Sequence, residues 1–428
     1  MKNALMLAWL ALLMLGGAAW ASEIQGVRDN AESDPHANLG NGGGTWQPMG
    51  SGTEDSLLGV WGSSSTNVFA VGSSATIRHY DGSTWKYMNP HTTSVSSIEG
   101  VWGSSGSVFA VRYDWTSDPQ IGGVLQYNGG TWSEMESLEG SPPLYDVWSC
   151  SSGHVFVVGD VWVEDGDSGS TIYHYDGNWR LMRFEDDPVA SLDGVWGSSD
   201  SDVFAVGDNG TILHYNGTTW SRMSSGTNQY LFGVWGSSAT DVFAVGDNGT
   251  ILHYNGTTWS LMFSDPNKYL FGVWGSSDTD VFAVGLDGTI LHYNGTTWIP
   301  MSSGTDESLE GVWGSSSTDV FAVGSSGTIL HYTYDPSTLY VSKYEGCGGN
   351  NPCYETIQDA IDAAAINAVI KIARGTYAGS MTLNKSLSLT LQGGWDTDFQ
   401  SPAGTTLLRQ APKAPKGSLT LQRLTIRP

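Results

Sequence analysis

Two stretches of this chain combine aromatic and acidic residues in a way that suits ligand binding. They are RYDWTSDPQIGG at 112–123 and GDVWVEDGDSGS at 159–170. Exposed aromatic rings stack on sugars or anchor protein interfaces, and nearby carboxylates orient hydroxyl or basic groups. We therefore predict a ligand-binding site whose members are Tyr113, Asp114, Trp115, Asp118 and Trp162. The alternative is that both stretches are tolerated loop insertions.

The second stretch could also bind a calcium ion. Carboxylate oxygens are the ligands that Ca²⁺ prefers, and this stretch gathers four of them, at Asp160, Glu164, Asp165 and Asp167. Their spacing does not match an EF-hand loop. Calcium is therefore the one cofactor that the sequence leaves open, and no other cofactor is predicted.

A set of six histidines raises the question of a metal ring. They recur at equivalent positions, namely His79, His174, His214, His253, His292 and His331. Neighbouring copies would lie too far apart to share one ion, so we interpret them as structural. Asp202, Asp241, Asp280 and Asp319 precede a strand and are expected to tie a tight turn through backbone hydrogen bonds.

One repeated unit of about 40 residues positions all of these side chains. The phrase GVWGSS…DVFAVG brings a tryptophan at Trp61, Trp102, Trp148, Trp196, Trp235, Trp274 and Trp313. A second phrase, ILHYNGTTWxxM, follows it, and its methionines are expected to pack between units. Each unit reads as four short strands rich in Val, Ile, Phe, Tyr and Trp and bounded by turn residues. Four strands per repeat are typical of a β-propeller blade.

The two phrases are offset by one strand, which predicts how the ring closes. The last unit stops at Tyr332 without its TW strand, and the first TW strand, at 45–49, has no unit before it. We therefore predict a seven-bladed propeller in which 45–49 pairs with 328–332. The loops between strands two and three, and between blades, share one face. These loops vary from unit to unit, and variable loops on a rigid scaffold often carry binding.

The repeat resembles known propeller families. GDNGTILHYNGTTW, at 207–220 and 246–259, looks like the BNR or Asp-box repeat. The longer pattern is similar to photosystem II stability/assembly factor-like propellers and to secreted bacterial repeat proteins. Sialidases share the Asp-box, but their arginine clamp cannot be assembled from the arginines between residues 45 and 332, which are Arg78, Arg112, Arg180, Arg183 and Arg222. We predict no catalytic residues and no enzyme activity.

The net charge and the N-terminal sequence limit the expected partners and the expected location of the protein. The 428 residues carry a net charge of −25, which would repel a phosphate backbone and argues against nucleic-acid binding. Lys2, a short apolar run and Ala19-Trp20-Ala21 predict a signal peptide over 1–21. No later stretch reads as a membrane span. We expect a secreted protein, either extracellular, at the cell surface or periplasmic, of undetermined oligomeric state.

The 40-residue repeat ends before Pro336, and the sequence pattern after it is different. TIQDAIDAA…VIKIARGTY…LSLTLQGGW resembles the N-terminal cap and first coils of a pectate-lyase-like right-handed parallel β-helix. A helix is expected over 356–365 with Thr356 as its N-cap. Cys347 and Cys353 are close together in an exported chain, so we predict a disulfide between them, with Cys150 left as a free thiol.

The predicted organisation is therefore all-β. It comprises a signal peptide (1–21), a linker (22–43), a seven-bladed propeller (44–333) and the start of a β-helix (334–428), which we expect to be incomplete. The predicted function is non-catalytic binding of an extracellular protein or carbohydrate. The alternative is that the propeller is the targeting module of a polysaccharide lyase or hydrolase whose catalytic coils lie beyond this sequence.

Overall fold

The architecture is taken from a computed structural model of the chain. It describes residues 45–91, 97–104, 106–114, 121–135, 138, 142–162, 168–182, 191–333, 338–343, 347, 353–364, 366–397, 399, 401–402 and 404–427. For residues 121, 161, 162, 168 and 169 only the backbone is described.

The described residues form seven four-stranded antiparallel sheets, which are the blades of a β-propeller. The innermost strands are β2 (Leu57–Ser64), β6 (Ser97–Ser104), β10 (Leu144–Ser149), β14 (Leu192–Ser199), β18 (Leu231–Ser238), β22 (Leu270–Ser277) and β26 (Leu309–Ser316). The second strands are β3 (Asn67–Gly72), β7 (Ser107–Asp114), β11 (Val155–Trp162), β15 (Asp202–Gly207), β19 (Asp241–Gly246), β23 (Asp280–Gly285) and β27 (Asp319–Gly324).

The outer half of each blade follows the same order. The third strands are β4 (Thr76–Tyr80), β8 (Ile121–Tyr127), β12 (Ser168–Tyr175), β16 (Thr211–Tyr215), β20 (Ile251–Tyr254), β24 (Thr289–Tyr293) and β28 (Ile329–Thr333). The outermost strands are β5 (Trp85–Tyr87), β9 (Trp132–Glu134), β13 (Trp179–Leu181), β17 (Trp220–Met223), β21 (Trp259–Phe263), β25 (Trp298–Met301) and, in the seventh blade, β1 (Thr45–Pro48). In blades four to seven a 3₁₀ turn joins strands two and three, at Asp208–Gly210, Asp247–Gly249, Leu286–Gly288 and Ser325–Gly327.

The second strand of each blade forms the centre of the core. The phrase DVFAVG is a continuous apolar run because neighbouring blades cover both of its faces. Phe204 and Phe243, for example, are fully buried. Burying one such side chain contributes about 2–3 kcal/mol. Every copy of the repeat therefore contributes the same buried strand to the core of the propeller.

The ring closes through the N-terminal strand, as the offset of the two phrases predicted. Strand β1 pairs antiparallel with β28, and Trp46 lies opposite Tyr332. The innermost strands of the first and last blades, β2 and β26, are in contact. The outer edge of β28 is thus paired by the chain's own N-terminal segment, which protects an edge that would otherwise be open to another strand.

In six of the seven innermost strands a glycine follows the tryptophan. The tryptophan ring of the preceding blade packs against this glycine and leaves no room for a side chain. The ring of Trp235 lies against Gly275 of the next blade, where a Cβ atom would sit 2.7 Å from it. Trp313 meets Gly62 in the same way across the closure between blades seven and one. The third blade departs from this rule, with Ser149 at the glycine position. There Trp102 Nε1 donates to the Ser149 carbonyl at 3.0 Å, and the Trp102 ring is only half-buried.

The recurring histidines are structural, as predicted, but the recurring aspartates act differently from the prediction. His214 Nε2 hydrogen-bonds to Asp202 Oδ1 at 2.7 Å, and Ser198 Oγ donates to Asp202 Oδ2 at 2.6 Å. Blades five to seven repeat both bonds. The carboxylate therefore ties the turn through side chains of the first and third strands and not through backbone amides.

The C-terminal part of the chain forms two parallel sheets. One contains β29 (Thr338–Val341), β30 (Cys353–Tyr354), β31 (Val369–Ala373), β33 (Ser388–Trp395) and β35 (Ser418–Gln422), and the other contains β32 (Gly375–Tyr377), β34 (Thr406–Leu408) and β36 (Leu424–Ile426). From β31 to β36 successive strands alternate between the two sheets. Their apolar side chains form a separate core that includes Ile370, Leu391 and Leu408.

The predicted helix and disulfide are both present. Helix α1 spans Ile357–Ala363, and the Thr356 side chain accepts a hydrogen bond from the Asp359 amide, as an N-cap does. Cys347 and Cys353 are disulfide-bonded, and Cys150 is a free, half-buried thiol. No helix in the described part of the chain is long and apolar enough to cross a membrane.

Candidate binding face at the channel mouth

The described parts of the two stretches predicted to be long loops are strands of extended hairpins. Strand β7 continues to Asp114 and pairs with β8 through Asp114↔Ile121, and β11 continues to Trp162, which lies opposite Ser168. Each of these second strands has eight residues, where blades four to seven have six. The blade ladder therefore includes part of the extra sequence, and residues 115–120 and 163–167 lie outside the described residues.

The prediction that Tyr113 is exposed is wrong. Tyr113 is only 7% exposed, because it lies within the extended ladder and packs edge-on against Tyr145 of the next blade, with ring centroids 6.3 Å apart. Asp114 and Asp160 are buried as well. Trp115, Asp118, Glu164, Asp165 and Asp167 fall outside the described residues, and only the backbone of Trp162 is described, so their predicted sugar, protein or calcium contacts stay predictions.

A ring of seven half-buried residues lines the start of the innermost strands. Each member follows the buried leucine or isoleucine that opens its strand. Members of this inner ring, in blade order, are Leu58, Glu99, Tyr145, Asp193, Phe232, Phe271 and Glu310. Innermost strands surround the central channel of a propeller, and two consecutive members, Phe232 and Phe271, have ring centroids 5.6 Å apart. The inner ring therefore frames one mouth of the channel.

A second ring lies beside the first. Its members are the residues directly after the second-strand ladder position that faces the opening leucine or isoleucine, namely Ser73, Tyr113, Asp160, Asp208, Asp247, Leu286 and Ser325. Backbone bonds fix this turn ring against the inner strands: Asp208 N donates to Ser191 O at 3.0 Å, and Asp247 N donates to Tyr230 O at 2.9 Å. The two rings together form the channel mouth.

Carboxylates are concentrated on blades two to five of the mouth. Asp193 and Asp208 come from blade four, Asp160 from blade three and Asp247 from blade five. Asp146, at a position that is glycine in every other blade, accepts hydrogen bonds from the amides of Val147 and Val195 at 2.8 and 2.9 Å. Asp193, Asp208 and Asp247 form no ion pair with a lysine or arginine within the described part of the chain.

Burial and mutual repulsion raise the pKa values of these carboxyl groups. Burial raises the pKa of Asp208 to about 7, and the charges of Asp160 and Asp247 add to the effect. Burial raises the pKa of Asp247 to about 6. The pKa of Asp193 lies well above its ordinary value, because Asp193 is buried and is repelled most strongly by Asp208. Negative charge at this mouth is therefore held at a cost in free energy.

The apolar members of the mouth lie mainly on blades five, six and one. Phe232 and Phe271 contact each other there, Leu58 belongs to the same ring, and Leu286 belongs to the turn ring. Glu310, whose pKa burial raises to about 7 with a contribution from Glu99, stands between Phe271 and Leu58 in blade order. The mouth thus combines a carboxylate-rich sector with an aromatic and aliphatic sector.

Comparisons with known proteins bear on the fold. No family model matches this chain, and no curated protein matches it. A structure titled YCF48 bound to D1 peptide matches with 17% identity and a TM-score of 0.55, covering 71% of this chain and 100% of that chain. YCF48 from Cyanidioschyzon merolae matches with 16% identity and a TM-score of 0.52, covering 67% and 98%. The WD40 β-propeller domain of Doa1 matches with 12% identity and a TM-score of 0.53, covering 69% and 98%. The similarity is one of fold.

The sequence contains a second signal for the mouth besides loop length. In the phrase LxGVWG the residue x differs between most copies, while its neighbours hardly change. Because the surrounding positions are fixed by packing, variation confined to one position marks a side chain with no common structural role. That position is the inner ring.

The raised pKa values predict a stability that depends on pH. In the Asp208→Asn variant we expect the free energy of unfolding to rise by about 1–2 kcal/mol at pH 8 and to change little near pH 4. One pKa unit corresponds to about 1.4 kcal/mol, and we reduce the full value because Asp208 is partly exposed. The sign follows because the carboxyl ionises near its ordinary pKa of 3.8 in the unfolded chain but keeps its proton to about pH 7 in the folded chain. The wild-type fold therefore loses stability as the pH rises from about 4 to about 7, and the asparagine variant does not.

Urea unfolding of both proteins between pH 4 and pH 8 measures the difference. The matched control is Asp278→Asn, which removes one exposed carboxylate in the β22–β23 turn at the opposite end of the blade. A variant effect that is constant over this pH range, or equal to that of the control, would contradict the burial of a charged Asp208.

Proposed function

We propose that this chain is an exported, non-catalytic binding protein whose propeller presents the channel mouth to a protein partner. The observation that carries the proposal is the variation of the two rings within an otherwise uniform repeat. Twelve or more side chains of one blade recur because the fold needs them, whereas those at the mouth differ and converge on one surface. The predicted signal peptide supports export.

A protein partner fits the mouth better than a carbohydrate. The carbohydrate prediction depended on exposed aromatic rings, and Tyr113, the one member of that set whose ring is described, is buried. Half-buried Phe232 and Phe271 offer an apolar contact of the kind that anchors a peptide side chain. The similar YCF48 propeller was solved with a peptide bound, which supports peptide recognition by this kind of scaffold.

We also propose that the C-terminal region is the beginning of a parallel β-helix, with helix α1 covering its first coil. Its support is the alternation of successive strands between two parallel sheets, and the contacts of α1 with β29 and β31. This region would be a separate module attached to the binding propeller.

Selection from a random dodecapeptide phage library tests the proposed function. We expect the propeller to enrich peptides whose synthetic copies lose at least tenfold in affinity to the Phe232→Ala, Phe271→Ala double variant, since a desolvated aromatic anchor contributes about 2 kcal/mol. The matched control is Tyr87→Ala, which removes an aromatic ring that is 59% exposed on the outermost strand β5. Circular dichroism establishes that each variant is folded. No enrichment, or an equal loss in the control, would overturn the proposal.

A further inference from the structure

One carboxylate oxygen at the mouth is buried without a hydrogen-bond partner among the described residues. The Oδ2 atom of Asp193 is shielded from solvent and has no hydrogen bond to any described residue. Buried carboxylate oxygens in proteins are normally paired or hydrogen-bonded, because leaving one unmatched costs several kcal/mol. The fold retains this group at a position where the other blades carry leucine, phenylalanine, tyrosine or glutamate, so no packing requirement common to the repeat accounts for an aspartate there.

The surroundings of Asp193 add negative charge and supply no positive charge from the described residues. Asp208, Asp160, Asp247 and Asp146 all act on Asp193 in the same direction. The arginine salt bridges that the structure describes lie elsewhere, joining Arg112 to Glu134 and Arg180 to Asp176. A cation entering the mouth would therefore meet several carboxylates before any competing basic group of the described chain.

We infer that the mouth binds a lysine or arginine side chain of the partner at Asp193, with a neighbouring apolar side chain of the partner against Phe232 and Phe271. This inference rests on the proposed function and specifies its ligand chemistry. A guanidinium or ammonium group donates the charge-assisted hydrogen bonds that Asp193 Oδ2 lacks. The aromatic pair on blades five and six begins directly beside blade four, so one short peptide segment reaches both sectors.

A peptide cation fits this site better than a metal ion. The described residues contain no group of three or more His, Cys, Asp or Glu side chains arranged to hold a metal. Arginine and lysine donate from the end of a long stem, and the stem itself packs on apolar surface. The chain's net charge of −25 favours the approach of a basic partner over an acidic one.

Positional-scanning hexapeptide mixtures provide the test, with one position fixed in turn as arginine, lysine, citrulline, glutamate or leucine. Citrulline keeps the shape of arginine and removes its charge. We expect the arginine and lysine mixtures to bind the full chain at least tenfold more tightly than the citrulline and glutamate mixtures at pH 8. Asp193→Asn should remove that preference. Because this variant replaces a buried charge with a neutral group of equal size, we expect it to fold at least as stably as the wild type.

Any of the following results would overturn the inference. One is equal binding of the arginine and citrulline mixtures. Another is a preference for arginine that persists in Asp193→Asn. So is a preference that Asp278→Asn, the control on the opposite face, lowers as much as Asp193→Asn does. The last is uptake of Ca²⁺ alone that depends on Asp193, which would assign the site to a metal. If the mixtures bind at the mouth without a preference for basic residues, the inference fails and the proposed function stands; if none binds, both fail.

Discussion

Removing strand β1 should destabilise the propeller more than any other short deletion. A chain that starts at residue 51 is expected to lose about 5 kcal/mol or more in free energy of unfolding relative to a chain that starts at residue 44. Trp46 packs edge-on against Phe282 at 6.0 Å and lies 5.3 Å from Tyr332, and loss of a buried tryptophan alone costs about 3–5 kcal/mol. The deletion also exposes the edge of β28.

Denaturant unfolding of the two chains measures this effect, and the longer chain is the matched control because it lacks the same predicted signal peptide and linker but retains β1. The single substitution Trp46→Ala separates packing from strand pairing and should cost about 3–5 kcal/mol by itself. If the two chains unfold within about 1 kcal/mol of each other, the N-terminal strand does not close the ring.

Substituting an inner glycine should have the second-largest effect. Gly275→Val is expected to lower the free energy of unfolding by about 3 kcal/mol or more, at the upper end of what overpacking costs. A Cβ atom there would lie 2.7 Å from both the Trp235 ring and the Asp280 carbonyl, so neither the neighbouring blade nor the blade's own turn has room for it.

Thermal or urea unfolding tests this prediction against Gly50→Val, where no atom lies within 4 Å of the added Cβ and little change is expected. The third blade provides a natural comparison. Ser149→Gly should be tolerated, because Trp102 already sits in a half-buried position beside Ser149. Equal stability of the Gly275 and Gly50 variants would show that the tryptophan–glycine contacts do not hold the blades together.

The sequence predicted the propeller because its constraints are local and repeated. Seven copies of one phrase specify the same buried strand, and the strand offset is enough to predict the pairing of Trp46 with Tyr332. The Cys347–Cys353 disulfide and the helix after Thr356 were predictable for similar local reasons.

The binding face was harder to predict because it depends on how far a ladder extends. The sequence of 112–123 reads equally well as a loop or as a longer hairpin, and the choice decides whether Tyr113 is exposed or buried. Asp193 and Asp208 lie about 15 residues apart in the chain, and only the pairing of Leu192 with Gly207 brings them together. The clustering of charge at the mouth is therefore a property of the closed ring.

Hydrogen–deuterium exchange of the full chain, with and without a peptide selected from the dodecapeptide library, tests the binding face most directly. We expect added protection at the starts of the inner strands and in the adjacent turns, above all in peptides that cover 191–194, 208–210, 230–233 and 269–272. Protection confined to the β22–β23 turn and its equivalents at the opposite end of the blades, or to the outermost strands, would contradict the assignment of the channel mouth as the binding face.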